Sequence, residues 1–347
     1  MTPTTPPLLE DAADGFASLR IQDVVRETPD AVSLVFDVPP TDPRFAYRAG
    51  QFLTLRVSID GQEYRRCYSM SSSPAVHEQL RITVKRDRDG VVSNWLNDTA
   101  APGDHIQAAA PEGRFVMTDG DREIIAFAGG SGITPVLSLI HTALATTSRR
   151  ARLFYANRDT DSVIFRDALA ELAGAHGDRF ELHHHLDTQR GIVSAAQITE
   201  FLGAFDPAAD YYVCGPGPYM DTVEGTLRAA GIPRDRVHVE RFTMAPVAPG
   251  DTADSAVTKT VTITLDRQTV GCAYRAGNTI LQTARLAGLK APSSCETGSC
   301  GTCIAQVVEG TARMLNNDAL DDDEVADGLV VTCQALPTSP TVRVVYE

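Results

Sequence analysis

Three cysteines crowd into nine residues near the end of the chain, in the run CETGSCGTC from Cys295 through Cys300 to Cys303, and Cys333 follows after 29 more residues. A C-x4-C-x2-C run with a distant fourth thiolate is the ligand spacing of a [2Fe-2S] cluster. To bring three thiolates onto two irons within so short a run, the backbone must curl tightly, and Gly298 and Gly301 permit the positive φ values such a curl needs. The same curl aims backbone N–H groups at the sulfurs and spreads the negative charge, with Ser294 and Ser299 as further candidate donors. A structural zinc would use paired knuckles, whereas Cys333 stands alone in VVTCQ. Disulfides are disfavoured in a reducing compartment. Cys295, Cys300, Cys303 and Cys333 are therefore read as the ligands of a [2Fe-2S] cluster.

That loop belongs to a small α+β domain. TVTITLD and QTVGCAY read as a hairpin, TILQTARLAG as a helix, and IAQVVEG and TVRVVY as strands. The chain has 347 residues, too many for one ordinary core of ~100–150 residues. From Leu19 to Phe115, six alternating runs (LRIQDVVRE, AVSLVFDV, GQFLTLRVSI, EYRRCYSM, LRITVKR, HIQAAA) are split by Pro, Gly and Asp. They predict a closed or nearly closed antiparallel β-barrel, with one short helix after Gly90 in VVSNWLND. After Asp119 the rhythm changes to strands REIIAFA, ARLFYA, RFELHHHL, DYYVCG and RVHVERF. Between them lie the helical runs VLSLIHTALA, SVIFRDALAELA, SAAQITEFL and YMDTVEGTLRAAG. Strands alternating with helices predict an α/β domain with a parallel sheet. The Pro-, Ala- and Asp-rich stretch at 243–257 reads as a linker. The expected plan is a tail at 1–15, a barrel at 16–117, an α/β domain at 118–242, the linker, and the cluster domain at 258–347.

Charge narrows the partners. The formal net charge of −14 disfavours nucleic acid, whose phosphates would be repelled. No run approaches the ~18 consecutive apolar residues that span a bilayer. MTPTTPPLLEDAADG lacks the basic and apolar segments of a secretion signal, so a cytoplasmic location without membrane insertion is expected.

Gly129-Gly130-Ser131-Gly132-Ile133-Thr134-Pro135 joins a buried strand to a helix. Small residues let the backbone approach a dinucleotide, and the helix N-terminus supplies positive potential. This is not G-x-G-x-x-G. It resembles instead the GGxGITP turn of the ferredoxin–NADP reductase superfamily, as Cys214-Gly215-Pro216 resembles that family's CGP motif. Arg66-Cys67-Tyr68-Ser69 resembles its R-x-Y-[ST] flavin signature, Ile82 to Arg86 its second flavin-contacting strand, and Gly90-Val91-Val92-Ser93 its G-x-x-S pyrophosphate turn. PEGRF at 111–115 is similar to its barrel-closing segment, and Glu240 and Phe242 in VERF to its closing E-x-F.

The resemblance spans Leu19 to Tyr346 and implies FAD, a nicotinamide and a plant-type, β-grasp ferredoxin domain. It implies that Arg66 holds the FAD pyrophosphate, that Tyr68 packs on the isoalloxazine and that Ser69 lies near flavin N5. Val84, Lys85, Val92, Ser93 and Phe242 complete the implied FAD set. Gly130, Ser131, Gly132, Thr134, Arg158, Cys214, Gly215 and Pro216 would meet the nicotinamide dinucleotide. Ser69, Cys214 and Glu240 are the implied catalytic residues. A solvated carboxylate remains the alternative for Glu240, strand packing for Phe242, and a cap salt bridge for Arg158. Arg158 stands among Asn157, Asp159 and Asp161, so a 2′-phosphate would meet mixed charge and NADH is expected over NADPH.

The order barrel, nicotinamide domain, ferredoxin resembles the reductases that serve bacterial oxygenases. It implies electron flow from NADH through FAD and the [2Fe-2S] cluster to a terminal oxygenase in a transient complex, with this chain a monomer. A Rieske-type steroid or ring hydroxylase is the expected partner; a di-iron monooxygenase, epoxidase or desaturase is the alternative, and a redox-sensing regulatory role a distant one. The chain lacks a Rieske C-x-H pair of its own. His183-His184-His185 lies on a strand, where neighbours face opposite ways, and is read as no ligand set. Cys67 reads as a packing residue and Asp321-Asp322-Asp323-Glu324 as a solvated turn.

Overall fold

The computed structural model describes residues 15–39, 42–203, 207–242, 257–293, 298, 300–317 and 319–346. The expected tail as far as Asp14, the linker from 243 to 256, and Ser294, Cys295 and Ser299 lie outside the described residues. The chain divides into two compact units between Arg241 and Phe242.

In the first unit all six alternating runs form strands: β1 (Phe16–Thr28), β2 (Ala31–Asp37), β3 (Phe52–Ile59), β4 (Gln62–Ser69), β5 (Leu80–Lys85) and β6 (His105–Ala109). They pair antiparallel in the order β4-β3-β6-β1-β2-β5. Alternation sets the inward face: Val32, Leu34 and Phe36 of β2 join Leu19, Ile21, Leu53, Leu55, Ile82 and Val84 in one core. A bridge between Met70 and Ile82, with the Ser71 N–H donating to the Arg81 carbonyl at 2.8 Å, draws the two edge strands together and nearly closes the barrel. Phe52 bridges Glu112, which lays the PEGRF segment along the start of β3. The expected short helix is α1 (Val91–Thr99).

The second sheet is parallel, with strands β7 (Ile124–Gly129), β8 (Ala151–Asn157), β9 (Phe180–Leu186), β10 (Asp210–Cys214) and β11 (Val237–Glu240) in the order β11-β10-β7-β8-β9. Every residue of β7 and β10 is buried, as a sheet covered on both faces requires. Ile124, Ala126 and Ala128 point into one core, and Ile125 and Phe127 into the other. Helices α2 (Ile133–Thr146), α3 (Arg166–Ala175), α4 (Asp187–Arg190), α5 (Ala195–Leu202) and α6 (Gly217–Ala229) connect the strands.

The helix expected over SVIFRDALAELA is corrected at its start. Asp159 accepts the Ser162 N–H at 2.9 Å and caps a tight turn at Thr160–Ser162, and Phe165 then adopts φ 60°. Only from Arg166 does the chain run as a helix. The three histidines sit in β9 as strand geometry requires: His183 and His185 stack on Phe154 at 5.1 and 5.6 Å, while His184 lies beside Tyr155 at 5.9 Å.

Barrel and α/β domain are joined by hydroxyls. Ser138 of α2 donates to the Ser72 carbonyl at 2.6 Å, and the Ser73 and Thr142 hydroxyls lie 2.7 Å apart. Within the barrel domain Gly50, at φ 94°, has the Phe115 carbonyl oxygen 1.9 Å from where a Cβ would sit, so a side chain there would push the PEGRF segment away.

The second unit contains β12 (Thr260–Leu265), β13 (Gln268–Ala273), β14 (Ile304–Glu309), β15 (Ala312–Met314), β16 (Leu329–Val331), β17 (Ala335–Pro337) and β18 (Thr341–Val345). The main sheet runs β13-β12-β18-β14-β16, and β15 pairs with β17. Helix α7 (Ile280–Leu286) starts at Thr279, whose hydroxyl accepts the Gln282 N–H at 3.2 Å. The acidic stretch is a capped helical turn, α8 (Asp322–Ala326), with Asp321 and Glu324 forming a reciprocal box. The stretch is solvated as expected, with no residue of α8 buried, and the turn is a helical one. Strands β15, β16 and β17 are three residues each, too short for their alternation to stand out in the sequence.

Candidate functional site

Arg66, Tyr68 and Ser69 end β4, and the resemblance gave them to a flavin. Arg66 is exposed and donates to its neighbour Arg65's carbonyl at 2.7 Å, with its guanidinium 5.9 Å from the Tyr64 ring. Burial raises the Tyr68 phenol above its ordinary range, with the Arg66 charge opposing and Asp87 adding to the rise. The Asp87–Gly90 turn, closed by the Gly90 N–H on the Asp87 carbonyl at 3.2 Å, starts α1. Gly90 caps that helix without any side-chain hydrogen bond. A Cβ on Gly90 would lie 2.2 Å from Ser93 Oγ, so the turn closes only around glycine. Ser93 Oγ accepts the Asp87 N–H at 3.2 Å.

An exposed guanidinium and an uncapped helix N-terminus are both groups that suit a pyrophosphate. Arg66 and the first-turn amides of α1, including those of Val92 and Ser93, are the groups that would hold FAD there. The side chains of Val84 and Val92 are buried at 0% and 1% in the barrel core, which leaves them only backbone atoms to offer a flavin. The Val84 carbonyl already accepts from Asn97 at 3.1 Å. Cys67 faces Thr54, sulfur to hydroxyl 3.5 Å, which fits its reading as packing.

The three implied catalytic residues come together. Cys214 and Glu240 are register partners at the ends of β10 and β11. Ser69 reaches them from the barrel, its Oγ donating to Glu240 Oε2 at 3.5 Å. All three are buried, at 0% for Cys214, 5% for Glu240 and 3% for Ser69. The solvated reading of Glu240 is thereby set aside.

The two glycine-bearing turns pack on each other. A Cβ on Gly132 would sit 2.1 Å from the Cys214 carbonyl oxygen, one on Gly129 2.8 Å from Pro216 Cδ, and one on Gly215 3.0 Å from the Gly129 nitrogen. Gly130, Ser131 and Gly132 lead into α2, whose start has no side-chain cap. Thr134 Oγ1 donates to the Ser131 carbonyl at 3.0 Å, and Tyr155 Oη to the Gly130 carbonyl at 3.1 Å. Pro135 falls in the first turn of α2, where its missing N–H costs nothing. The cradle of glycines around an open helix start fits a dinucleotide.

Two residues enter this site that sequence reasoning placed differently or missed. Lys85, assigned to the flavin strand, puts Nζ 3.0 Å from where a Gly130 Cβ would be. Burial and then the nearby Arg158 charge lower its ammonium pKa, which Asp30 and Asp159 partly oppose. Tyr219, in the CGPGPYM run, packs its ring on Gly129 and Gly215, with a buried hydroxyl that has no hydrogen-bond partner. An aromatic shortly after CGP was the only signal for it. Arg158 pairs with Asp159 at 2.8 Å, and Asp159 caps the following turn, so the cap salt bridge is present. Phe242, 39% exposed, is the first residue of the second unit.

In the second unit Gly298 and Gly301 take φ of 90° and 79°, as the cysteine curl requires. A Cβ on Gly298 would meet the Asn316 carbonyl oxygen at 2.8 Å. The Thr302 N–H points at Cys300 Sγ, 3.4 Å away. Cys303 and Cys333 are buried at 2% and 6%, and neither forms a disulfide. Two buried cysteines and an amide aimed at the half-buried Cys300 sulfur fit an iron–sulfur cluster. Cys300, Cys303 and Cys333 would hold it together with Cys295, which lies outside the described residues. Among the described residues no three ligating side chains gather around one ion's position. A four-thiolate binuclear cluster needs only two for each iron.

Family models match in three places: an oxidoreductase FAD-binding domain over residues 18–117, an oxidoreductase NAD-binding domain over 127–225, and a 2Fe-2S iron-sulfur cluster binding domain over 263–338. The chain is 41% identical over 341 residues to the ferredoxin reductase component of 3-ketosteroid-9-alpha-monooxygenase from Mycolicibacterium smegmatis, covering 95% of this chain and 96% of that one. It is 31% identical to the glycine betaine monooxygenase reductase subunit of Pseudomonas aeruginosa, covering 95% of each. Among solved structures, phthalate dioxygenase reductase superposes with a TM-score of 0.66 at 28% identity, covering 96% of this chain and 98% of that one. Barrel, nicotinamide sheet and C-terminal iron–sulfur domain follow one another here as in those proteins, and the chain belongs to the FAD- and [2Fe-2S]-dependent reductase components of oxygenase systems, within the ferredoxin–NADP reductase superfamily.

Proposed function

We propose that this reductase takes electrons from NADH and delivers them singly to a Rieske-type 3-ketosteroid 9α-hydroxylase or a related ring hydroxylase. What carries the reading is the meeting of Ser69, Cys214 and Glu240 beside the two packed glycine turns. A bound flavin would take one hydride, with its two electrons, and pass those electrons on one at a time, the conversion a one-electron cluster needs. The chain's own residues prepare that chemistry. Arg66 and the start of α1 anchor the pyrophosphate of FAD, and the packed glycine turns hold the nicotinamide dinucleotide. Burial of Ser69, Cys214 and Glu240 excludes water from the place where the rings meet.

The choice of a steroid hydroxylase rests on the 41% identity to the Mycolicibacterium smegmatis reductase. Preference for NADH rests on the Arg158–Asp159 pair, in which the guanidinium is already answered by a carboxylate. No helix among the described residues is long and apolar enough to cross a membrane. The proposed setting is a cytoplasmic monomer that meets its oxygenase transiently. The deciding experiment mixes the purified reductase with a Rieske-type steroid oxygenase, a 3-ketosteroid and NADH, and measures hydroxylated product per NADH consumed. Tight coupling is expected. Coupling to a di-iron epoxidase in its place, with none to the Rieske oxygenase, would overturn the assignment of partner.

A further inference from the structure

Thr332 immediately precedes Cys333 and is fully buried. Four hydrogen bonds meet on it. Its N–H donates to the Cys303 carbonyl at 3.1 Å, and its hydroxyl donates to the same carbonyl at 2.8 Å. The Tyr346 hydroxyl donates to Thr332 Oγ1 at 2.9 Å. The Thr332 carbonyl accepts the Leu281 N–H of α7 at 3.0 Å. Tyr346, itself 5% exposed, is fixed by its own N–H to the Thr264 carbonyl at 2.9 Å.

A hydroxyl has one proton to give and is free to rotate unless its surroundings choose for it. Here the tyrosine occupies the acceptor side, which commits the threonine proton to Cys303. Two donors from one residue then hold a single carbonyl. The result ties the Cys303 carbonyl to the residue just before Cys333, two cysteines separated by 29 residues of chain. Sulfur positions around a cluster tolerate only about 0.5 Å of looseness, so the groups behind the ligands decide whether the site is competent. Outer hydrogen bonds also tune the electronic state of the metal they surround.

We infer that Thr332, oriented by Tyr346, is a positioning residue of the iron–sulfur site, which fixes Cys303 against Cys333 and so sets both the retention of the cluster and its reduction potential. This rests on the assignment of those cysteines to the cluster. Shape alone does not account for the arrangement, because valine would fill the same space while taking the acceptor from the buried tyrosine hydroxyl and one donor from the Cys303 carbonyl.

The test uses the full-length holoprotein. Iron release to a chelator, the cluster midpoint potential and the electron paramagnetic resonance spectrum of the reduced protein are compared for Thr332→Val, Thr332→Ser and Tyr346→Phe. Thr332→Val is expected to release iron faster by about 10- to 100-fold and to shift both potential and spectrum. Thr332→Ser, which keeps the hydroxyl, should stay near the parent protein, and Tyr346→Phe should fall between them. Equal behaviour of the serine and valine variants, or a valine variant identical to the parent, would overturn the inference. If the valine variant does not fold, Tyr346→Phe decides: parent-like potential and iron release would refute the role. A parent protein without iron would instead refute the cluster assignment, a result the iron analysis reports before any variant is compared.

Discussion

At the ends of β10 and β11 the Cys214 and Glu240 side chains stand in register, and the Ser69 hydroxyl reaches the buried carboxylate from the barrel. Glu240→Gln keeps the size and one acceptor but removes the charge. We expect FAD to be retained and the rate of flavin reduction at saturating NADH to fall by about 100-fold or more, the scale of a lost acid–base or charge partner. A stopped-flow rate equal to the parent's would exclude a catalytic role for Glu240. Coenzyme choice is a second residue-scale prediction. Arg158 is exposed and its guanidinium is held in the charged form by the Asp159 hydrogen bond, so a 2′-phosphate would have to displace a carboxylate. Flavin reduction at equal subsaturating concentration should be faster with NADH, and a faster rate with NADPH would sink the preference. The cysteine run, the GGSGITP turn and Cys214-Gly215-Pro216 were legible because each is local, with its chemistry contained in a few neighbours. The register of Cys214 with Glu240, the reach of Lys85 to Gly130, and the grip of Thr332 on Cys303 were not. Each depends on which strands pair, and no residue-by-residue pattern encodes that.

Among the elements, β10 is held at its start by a charge cluster on the opposite end from the site. Asp210 and Arg149 are each 1% exposed and 2.6 Å apart, with Arg122 and Arg236 also on the carboxylate at 3.1 and 3.5 Å. Burial pushes the Asp210 pKa up, but the Thr118 and Arg122 hydrogen bonds and the Arg122 and Arg149 charges outweigh it and leave the carboxyl below its usual range. A depressed carboxyl stabilises the fold above its unfolded value of about 4, and that stability is lost as pH falls through the folded value. Asp210→Asn should therefore cost about 3–5 kcal/mol at neutral pH, because Arg149 is left buried and unanswered. Urea titrations at several pH values check this: the gap between parent and variant should shrink below about pH 4. A gap that does not change with pH would show that packing, not charge, makes the difference. Elements with a clear period were legible, including all six barrel strands and the five of the parallel sheet. SVIF was misread as helix because its apolar residues match a helical face. What decides there is Asp159, whose side chain closes a turn that the period cannot express.

For the whole molecule, the proposed electron carriers are divided between the two units. The residues proposed for the nicotinamide and the flavin all lie before Phe242, except that residue itself, and Cys300, Cys303 and Cys333, proposed for the cluster, all lie after it. With both groups bound, a small inorganic oxidant would be expected to draw electrons from the flavin, and a protein acceptor such as cytochrome c from the cluster. Covalent linkage of the two units makes the transfer between them intramolecular, governed by an effective concentration and not by the amount of protein. Turnover per reductase molecule should then be independent of reductase concentration with either acceptor. Cys300→Ser removes one thiolate from a site that needs four, and its Sγ is the acceptor of the Thr302 N–H. The variant should keep FAD and most of its NADH–ferricyanide activity while losing cytochrome c reduction. Adding the oxygenase should not restore transfer, because the missing step lies upstream of it. Retention of cytochrome c reduction by a variant shown to lack iron would mean that electrons leave from the flavin, and the linear order of carriers would have to be abandoned.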